Sequence, residues 1–473
     1  MGKPIVFGTD GWRAIIADEY TFDNVRRCAR GVAELFQSKG LAERGVVVGY
    51  DTRFESEEFA TAAAEALAGS GVKAFLCGRT EPTPVISYAI LDQKAAGGIT
   101  ITASHNPPIY DGFKVRSDYG GAADPETIAR LEQLIERIPA ESVPVLPRDQ
   151  AEREGLIVEI EPSESYLAHL SSLVDFDAIR QAKLRVVVDP MYGAGMGWFP
   201  RMLGGNAIEI VEINGERNPW FGGINPEPIA RNLQKLFATV RTVSAGVGLA
   251  TDGDADRLGV CDEEGRFVDQ LRVYSLLVLY LLEVRGWRGP IVKTLSTSSM
   301  LDRLGEIFHV PVFETAIGFK FVAPKMIESN ALVGGEESGG YAFRGHIPER
   351  DGILAGLFIL DMMVKLGKAP SQLVEYLFSK VGPHFYDRLD IHFAAEDRGT
   401  IVASLKHAEP AKIAGTNVAR IIREDGFKFV LDDGSWLLIR FSGTEPIMRI
   451  YAEAGSPERV QSLLETGRSI AGV

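Results

Sequence analysis

Val46-Val47-Val48-Gly49-Tyr50-Asp51, Val186-Val187-Val188-Asp189-Pro190 and Ile291-Val292-Lys293-Thr294 repeat one plan, a β-branched apolar run that ends in a small or polar loop and leads into a helical pattern. A second apolar run follows each helix, at residues 72–76, 207–211 and 310–313. A third run then enters an unusual loop directly, at 98–102, 247–250 and 331–334. Continuous apolar strands separated by helices make mixed or parallel sheets covered on both faces, where sites collect beyond the carboxyl ends of the strands. The plan predicts three related α/β domains with mixed sheets. After Gly382 the pattern changes: residues 427–431 and 436–441 read as a hairpin around Asp432-Asp433-Gly434, followed by a strand at 448–453 and a closing helix. That is the pattern of a smaller C-terminal α+β domain. The expected limits are 1–150, 151–266, 267–382 and 383–473, with the proline-rich polar stretch 139–154 as the clearest linker.

Composition agrees with several packed cores. The chain has 473 residues, which at roughly 150 residues per domain leaves room for three or four. Hydrophobic residues at 45% and charged residues at 24% are globular values that set aside disorder, collagen and coiled coil. A formal net charge of -14 gives no overall positive field, so nucleic acid is not an expected partner and any phosphate site has to be locally basic. Cys28, Cys77 and Cys261 form no close pair, which argues against a disulfide framework or a cysteine zinc site and fits a reducing cytoplasm. Residues 1–10 lack a basic segment before an apolar run, and no stretch reaches the roughly 18 uncharged residues of a membrane span, so neither secretion nor membrane insertion is expected.

Four loops carry residue types suited to chemistry. In Thr102-Ala103-Ser104-His105-Asn106-Pro107, a strand ends and Asn-Pro enforces a turn, exposing Ser104 at a sheet edge; a capped turn is the bland alternative. The hydrolase elbow G-x-S-x-G is not met, since Thr102 and Asn106 hold the glycine positions. His105, adjacent in sequence, is expected to point elsewhere and to be a poor base for Ser104. In Asp252-Gly253-Asp254-Ala255-Asp256-Arg257, three alternating carboxylates can aim oxygens at one hard cation, and without a cation they repel. An EF-hand is excluded because Arg257 stands where its sixth-position glycine belongs, although Glu263 falls at the twelfth. Gly334-Gly335-Glu336-Glu337-Ser338-Gly339-Gly340 pairs a carboxylate with a hydroxyl on a backbone open to close approach, as suits sugar hydroxyls, or simply forms a flexible turn. Arg440-Phe441-Ser442-Gly443-Thr444-Glu445-Pro446 offers a guanidinium, two hydroxyls and exposed N–H groups for a phosphate, or ends a hairpin. Arg13, Arg53, Lys114, Arg257, Lys293 and Lys320 lie beside these loops and supply local positive charge. Taken together, the four loops point to phosphoryl transfer on a sugar.

In this respect the sequence resembles the α-D-phosphohexomutases, a family of phosphoglucomutases, phosphomannomutases and phosphoglucosamine mutases. The likeness spans nearly the whole chain, and five markers occur in family order: Phe7-Gly8-Thr9-Asp10-Gly11-Trp12-Arg13, the Ser104 loop, the aspartate loop, residues 336–340 and residues 440–446. The resemblance implies that Ser104 is the phosphoserine, and that Asp252, Asp254 and Asp256 hold one Mg²⁺ together with a Ser104 phosphoryl oxygen. It places Lys114 and Arg13 near the transferring phosphoryl, with Lys114 the candidate general acid/base. Glu336 and Ser338 would bind the sugar, while Arg440, Ser442, Gly443 and Thr444 would bind phosphate. Arg257, Lys293, Lys320 and His346 complete the implied substrate set, and a hexose 1,6-bisphosphate would act as catalytic activator.

Glu337 and Gly340 differ from the glutamine and histidine usual in phosphoglucosamine mutases. Gly318-Phe319-Lys320-Phe321 and Gly345-His346-Ile347 echo phosphoglucomutases. The expected activity is therefore interconversion of glucose 1- and 6-phosphates, with mannose phosphate as second substrate. A bisphosphate synthase, a metal-dependent sugar phosphatase and a non-catalytic phosphosugar-binding protein are the alternatives, and nothing in the sequence specifies an oligomeric partner.

Overall fold

The structure, a computed structural model, describes residues 4–8, 10–205, 207–441 and 447–472. The first three sheets are built alike. In the first, Val46–Tyr50 lies between Ala74–Cys77 and Gly97–Ile101, all parallel, and Tyr110–Arg116 returns antiparallel to Gly97–Ile101. In the second, Arg185–Asp189 lies between Glu209–Glu212 and Val247–Thr251, with Leu258–Cys261 antiparallel beyond. In the third, Ile291–Thr294 lies between Val312–Thr315 and Val333–Gly335, with Tyr341–Phe343 antiparallel beyond. The Ser104, aspartate and Glu336 loops thus occupy one equivalent position, the link between the last parallel strand and its antiparallel neighbour. Near-complete burial of strands such as Val46–Tyr50 and Val247–Thr251 explains their unbroken apolar runs.

The fourth unit is a six-stranded sheet, in the order Phe385–His392, Ile447–Ala454, Trp436–Phe441, Phe427–Leu431, Thr416–Ile422 and Lys412–Ile413, with antiparallel pairings and the closing helix Pro457–Ala471. It is the α+β domain read from the sequence, with the hairpin between 427–431 and 436–441 in place.

Two expected limits move. Ile157–Ile160 pairs in parallel with Ala74–Cys77 and completes the first sheet, so that unit runs past residue 150. The stretch 139–154 is no free linker: it contains helix Arg148–Arg153, buries Ala151 and is bonded to the helix Ser56–Gly69 through Leu146 N and Glu65 O. Phe267–Val268 pairs with Leu258–Cys261, which carries the second sheet past residue 266.

The second and third units share one apolar core. Helix Gly352–Leu366 is buried from Gly352 to Met363, and its Leu357, Phe358 and Leu360 join Phe199 and Leu249 of the second unit in one cluster. A helix apolar on every side belongs in an interior, and burying each such large side chain stabilises by about 2 kcal/mol. The fourth unit has its own core and meets the third through a small cluster of Leu295, Trp436, Leu438 and Tyr451.

Candidate active site

The loop after Gly97–Ile101 turns sharply at Ser104, whose φ of 52° lies in the left-handed region. A non-glycine residue there costs roughly 1 kcal/mol and persists only when its surroundings hold it. Arg53, fully buried, holds this loop: its guanidinium donates to the carbonyls of Ser104 (2.7 Å), Asn106 (2.7 Å), Pro107 (3.0 Å) and Tyr110 (2.8 Å). The turn brings Ser104 and His105 to one side, with His105 Nδ1 3.2 Å from Ser104 Oγ. This corrects the expectation that His105 points elsewhere. Burial, then Arg257, Arg13 and Lys114, hold the imidazole's pKa well below its ordinary value, so it stands neutral beside the serine.

The aspartate loop meets Ser104 across the first and second units. Ser104 Oγ donates to Asp252 Oδ2 at 2.7 Å. The approach is close enough that a Cβ on Gly253 would lie 2.4 Å from the Ser104 carbonyl, which requires glycine there. Thr83 Oγ1 donates to Asp254 Oδ2 at 2.6 Å. Lys114 Nζ lies 2.8 Å from Asp254, 2.9 Å from Asp10 and 3.5 Å from Asp256. Burial opposes the Lys114 ammonium, but these carboxylates outweigh it and raise its pKa, so Lys114 is held as a cation. Burial pushes the Asp252 carboxyl well above the usual range, helped by Asp254 and Asp256. For Asp254 burial acts upward too, yet Lys114 and the donated hydrogen bonds hold it well below. Arg13 donates to Asn106 Oδ1 at 2.6 Å and so stands beside the same loop.

The sequence reading missed Arg350. Its guanidinium contacts Asp10 at 2.6 Å, Asp256 at 2.7 Å, and Glu336 and Glu349 at 3.3 Å, joining the first three units at one point. Arg116, also missed, pairs with Asp10 and Glu349. The available signal was the charged run Glu349-Arg350-Asp351 ahead of an apolar helix. Thr83 carried no such signal.

Glu336 is buried, and its pKa is raised to about 7 by burial, against the pull of Arg350. The aspartate and Glu336 loops touch through a bridge between Arg257 and Gly340, which brings Arg257 to the group, and Ser338 is half-buried on the same loop. Lys320 is half-buried and lines a small cavity with Asp10 and Gly11.

Lys293 and His346 are placed elsewhere. Lys293 is paired with Asp302, lies 3.8 Å from Glu314, and faces a cavity of about 830 Å³ between the third and fourth units. His346 is bonded to Asp351 at 2.8 Å and stacked on His169 with centroids 5.0 Å apart, inside the junction of the first three units. Arg440 Nε donates to Asp425 at 3.2 Å. Ser442, Gly443 and Thr444 lie outside the described residues.

The aspartate trio fits a hard cation. One oxygen from each of Asp252, Asp254 and Asp256 lies within 4.8 Å of the others, the one such cluster among the described residues. Asp254 Oδ1 and Asp256 Oδ1 are buried without a hydrogen-bond partner, an arrangement that a metal ion relieves.

Comparison with known proteins agrees with this geometry. Residues 4–142, 164–265 and 270–381 match phosphoglucomutase/phosphomannomutase α/β/α domains I, II and III, and residues 395–467 match the C-terminal domain of the same proteins. A phosphoglucomutase/phosphomannomutase of Thermococcus kodakarensis is 34% identical over 99% of this chain and 98% of its own. A protein of Pyrococcus abyssi named as a phosphoglucosamine mutase is 33% identical over 99% of this chain and 98% of its own. The crystal structure of a Thermus thermophilus protein named as a phosphomannomutase superposes with a TM-score of 0.86 at 35% identity, covering 100% of both chains. The chain belongs to the α-D-phosphohexomutase family and is an isomerase of the phosphoglucomutase/phosphomannomutase type.

Proposed function

We propose that this phosphohexomutase interconverts hexose 1-phosphate and hexose 6-phosphate, with glucose phosphate the preferred substrate and mannose phosphate the second. Phosphorylated Ser104 gives its phosphoryl to the free hydroxyl of the substrate, whose oxygen bonds to phosphorus as the Ser104 Oγ–P bond breaks. The hexose 1,6-bisphosphate turns around. Ser104 then takes the other phosphoryl and the isomeric monophosphate leaves, so the donor is regenerated. The observation that carries this reading is the buried Ser104 Oγ, 2.7 Å from the Asp252 carboxylate at the meeting point of two units.

Lys114 and Arg13 put positive charge beside the moving group, the main demand of phosphoryl transfer. His105 Nδ1, neutral and 3.2 Å from Ser104 Oγ, can hydrogen-bond that hydroxyl, but burial and the neighbouring cations disfavour its protonated form, so the general acid/base role is assigned to Lys114. Asp252, Asp254 and Asp256 are the residues to hold Mg²⁺, which when bound neutralises charge on the phosphoryl oxygens. Glu336 and Ser338 are assigned to sugar hydroxyls, because a carboxylate accepts from hydroxyls and repels phosphate. Arg440, with Ser442, Gly443 and Thr444, is assigned to the phosphate that is not being transferred, and Arg257 and Lys320 to the substrate's other charge. A reducing cytoplasm is the proposed setting, in keeping with the free, buried Cys28, Cys77 and Cys261; no described helix is long and apolar enough to cross a membrane.

The Pyrococcus abyssi relative favours glucosamine phosphate as a second reading. A coupled assay of purified protein with glucose, mannose and glucosamine 1-phosphates, each with catalytic hexose 1,6-bisphosphate, separates the readings. Fastest turnover of glucose 1-phosphate is expected. Phosphate release outpacing isomer formation would make the protein a phosphatase, and net accumulation of bisphosphate would make it a synthase.

A further inference from the structure

Behind the Ser104 loop lies a buried set of polar side chains, Asp51, Thr102, Ser56 and Asp111, distinct from the residues assigned above to metal and substrate. We propose that Asp51 and Thr102 are positioning residues that fix Ser104 for phosphoryl transfer, and that the buried pair Asp51 and Asp111 shares one proton, carried by Asp111. The proposal rests on the reading of Ser104 as phosphoryl carrier.

The hydrogen bonds can be followed donor by donor. The Ser104 N–H donates to Thr102 Oγ1 at 2.8 Å, and the Thr102 hydroxyl donates to Asp51 Oδ2 at 2.5 Å. Asp51 Oδ1 accepts from Arg53 N at 2.9 Å, and its Oδ2 faces Arg53 Nε at 3.3 Å. Ser56 Oγ stands 3.2 Å from Asp51 Oδ1 and 2.8 Å from Asp111 Oδ2. One hydroxyl hydrogen cannot serve two carboxylates. If Ser56 donates to Asp51, the second contact holds only when Asp111 carries a proton and donates to Ser56.

Charge balance agrees. Asp51 and Asp111 are 1% and 0% exposed, and the Arg53 cation is paired with Asp51, so two ionised carboxylates would leave an uncompensated charge in a dry site. Asp51, facing the guanidinium and three donors, is the better seat for the charge. Asp111 has Gly112 N–H at 2.7 Å and Ser56 as its partners. Burial, reinforced by Asp51, drives the Asp111 carboxyl well above its ordinary range, in the same sense.

The assembly restrains Ser104 from both sides of its strained φ: Thr102 holds its N–H, and Arg53, oriented by Asp51, holds its carbonyl. Loss of either restraint lets Ser104 Oγ drift from Asp252 without changing any group that binds substrate.

The test is single-turnover phosphorylation of Ser104 by glucose 1,6-bisphosphate, followed by mass spectrometry, with steady-state kcat and KM and the melting temperature measured alongside. Asp51→Asn and Thr102→Val are expected to phosphorylate Ser104 on the order of 100-fold more slowly, with KM little changed. Thr102→Ser, which keeps the hydroxyl, is expected to restore most of the rate. Asp111→Asn, isosteric with a protonated carboxyl, is expected to lose about tenfold less than Asp51→Asn. Wild-type labelling rates in both Asp51→Asn and Thr102→Val, or a Thr102→Ser enzyme as slow as Thr102→Val, would overturn the positioning role. An Asp111→Asn enzyme as impaired as Asp51→Asn would overturn the proton assignment. If Asp51→Asn does not fold, the Thr102 pair decides alone. Isomerisation by a wild-type enzyme that takes no phosphate on Ser104 would remove the carrier reading itself, whereas normal wild-type labelling matched by every variant removes only this inference.

Discussion

Ser104 sits on a loop whose carbonyls at 104, 106, 107 and 110 all accept from one buried guanidinium, and its hydroxyl already touches a carboxylate of the neighbouring unit. Arg440, on the fourth unit, is joined to Asp425 by a contact at 3.2 Å, and Asp425 in turn accepts from Ile317 N of the third unit at 2.9 Å. The unit that carries the aspartate loop and the unit that carries Arg440 also differ in how each is joined to the third. The second and third units share a continuous apolar core, whereas the fourth keeps its own and leaves a cavity of about 830 Å³ against the third. Phosphoryl transfer needs reacting atoms fixed to fractions of an ångström, and the buried hydrogen bonds around Ser104 supply that. Turning an intermediate around without losing it needs a clamp that can open, and a joint made of one small cluster beside a cavity suits that.

The largest expected effect lies at the rigid end. Asp254→Asn should lower kcat by on the order of 1,000-fold with little change in KM, and should weaken Mg²⁺ binding measured by titration calorimetry. At the movable end, Arg440→Ala should cut kcat/KM by about 10- to 100-fold from both the 1-phosphate and the 6-phosphate direction, because one charge-assisted contact is lost in either orientation. It should also release more bisphosphate into solution. Normal kinetics in one direction would show that the clamp is not shared.

Glu336 gives a smaller, pH-dependent effect. Its folded pKa, about 7, is raised from 4.5, so between those values the folded state binds more protons than the unfolded one. Stability therefore falls as pH rises from 4.5 through about 7, and Glu336→Gln should be more stable than wild type at pH 8 by up to about 3 kcal/mol, measured by denaturant titration. If ionised Glu336 accepts from sugar hydroxyls, kcat/KM should rise through pH 7 in the wild type, and that limb should vanish in Glu336→Gln. Smallest of all, Lys293→Met should change kcat/KM by less than about threefold, since its ammonium is spent on Asp302, while lowering the melting temperature by a few degrees as that pair is broken.

The three related sheets and the loops that link their last parallel strand to its antiparallel neighbour were legible because their signals are local: an apolar run, then a cluster of small or charged residues in the link that follows. What was not legible depends on contacts between units. Arg350 gains its role only where Asp10, Asp256 and Glu336 converge, and Thr83 only where Asp254 meets it. Proximity in sequence also does not show where a side chain turns. Lys293 precedes a loop, but its side chain turns toward Asp302, and His346 turns into a stack of rings. His105, adjacent to Ser104 in sequence, is expected to point elsewhere, which the left-handed turn at Ser104 reverses. The strand Ile157–Ile160 was hidden by its shortness and by Glu159.

The central claim is that Ser104 carries the phosphoryl group through the reaction. It is tested most directly by incubating the enzyme with Mg²⁺ and hexose 1,6-bisphosphate labelled in its phosphoryl groups, mapping the label by peptide mass spectrometry, and chasing with unlabelled hexose 1-phosphate. The expected result is label on Ser104 that passes to the hexose bisphosphate and 6-phosphate during the chase, with Ser104→Ala unlabelled and inactive. Turnover at the wild-type rate by Ser104→Ala, or label on Ser104 that stays in place while substrate is isomerised, would contradict it.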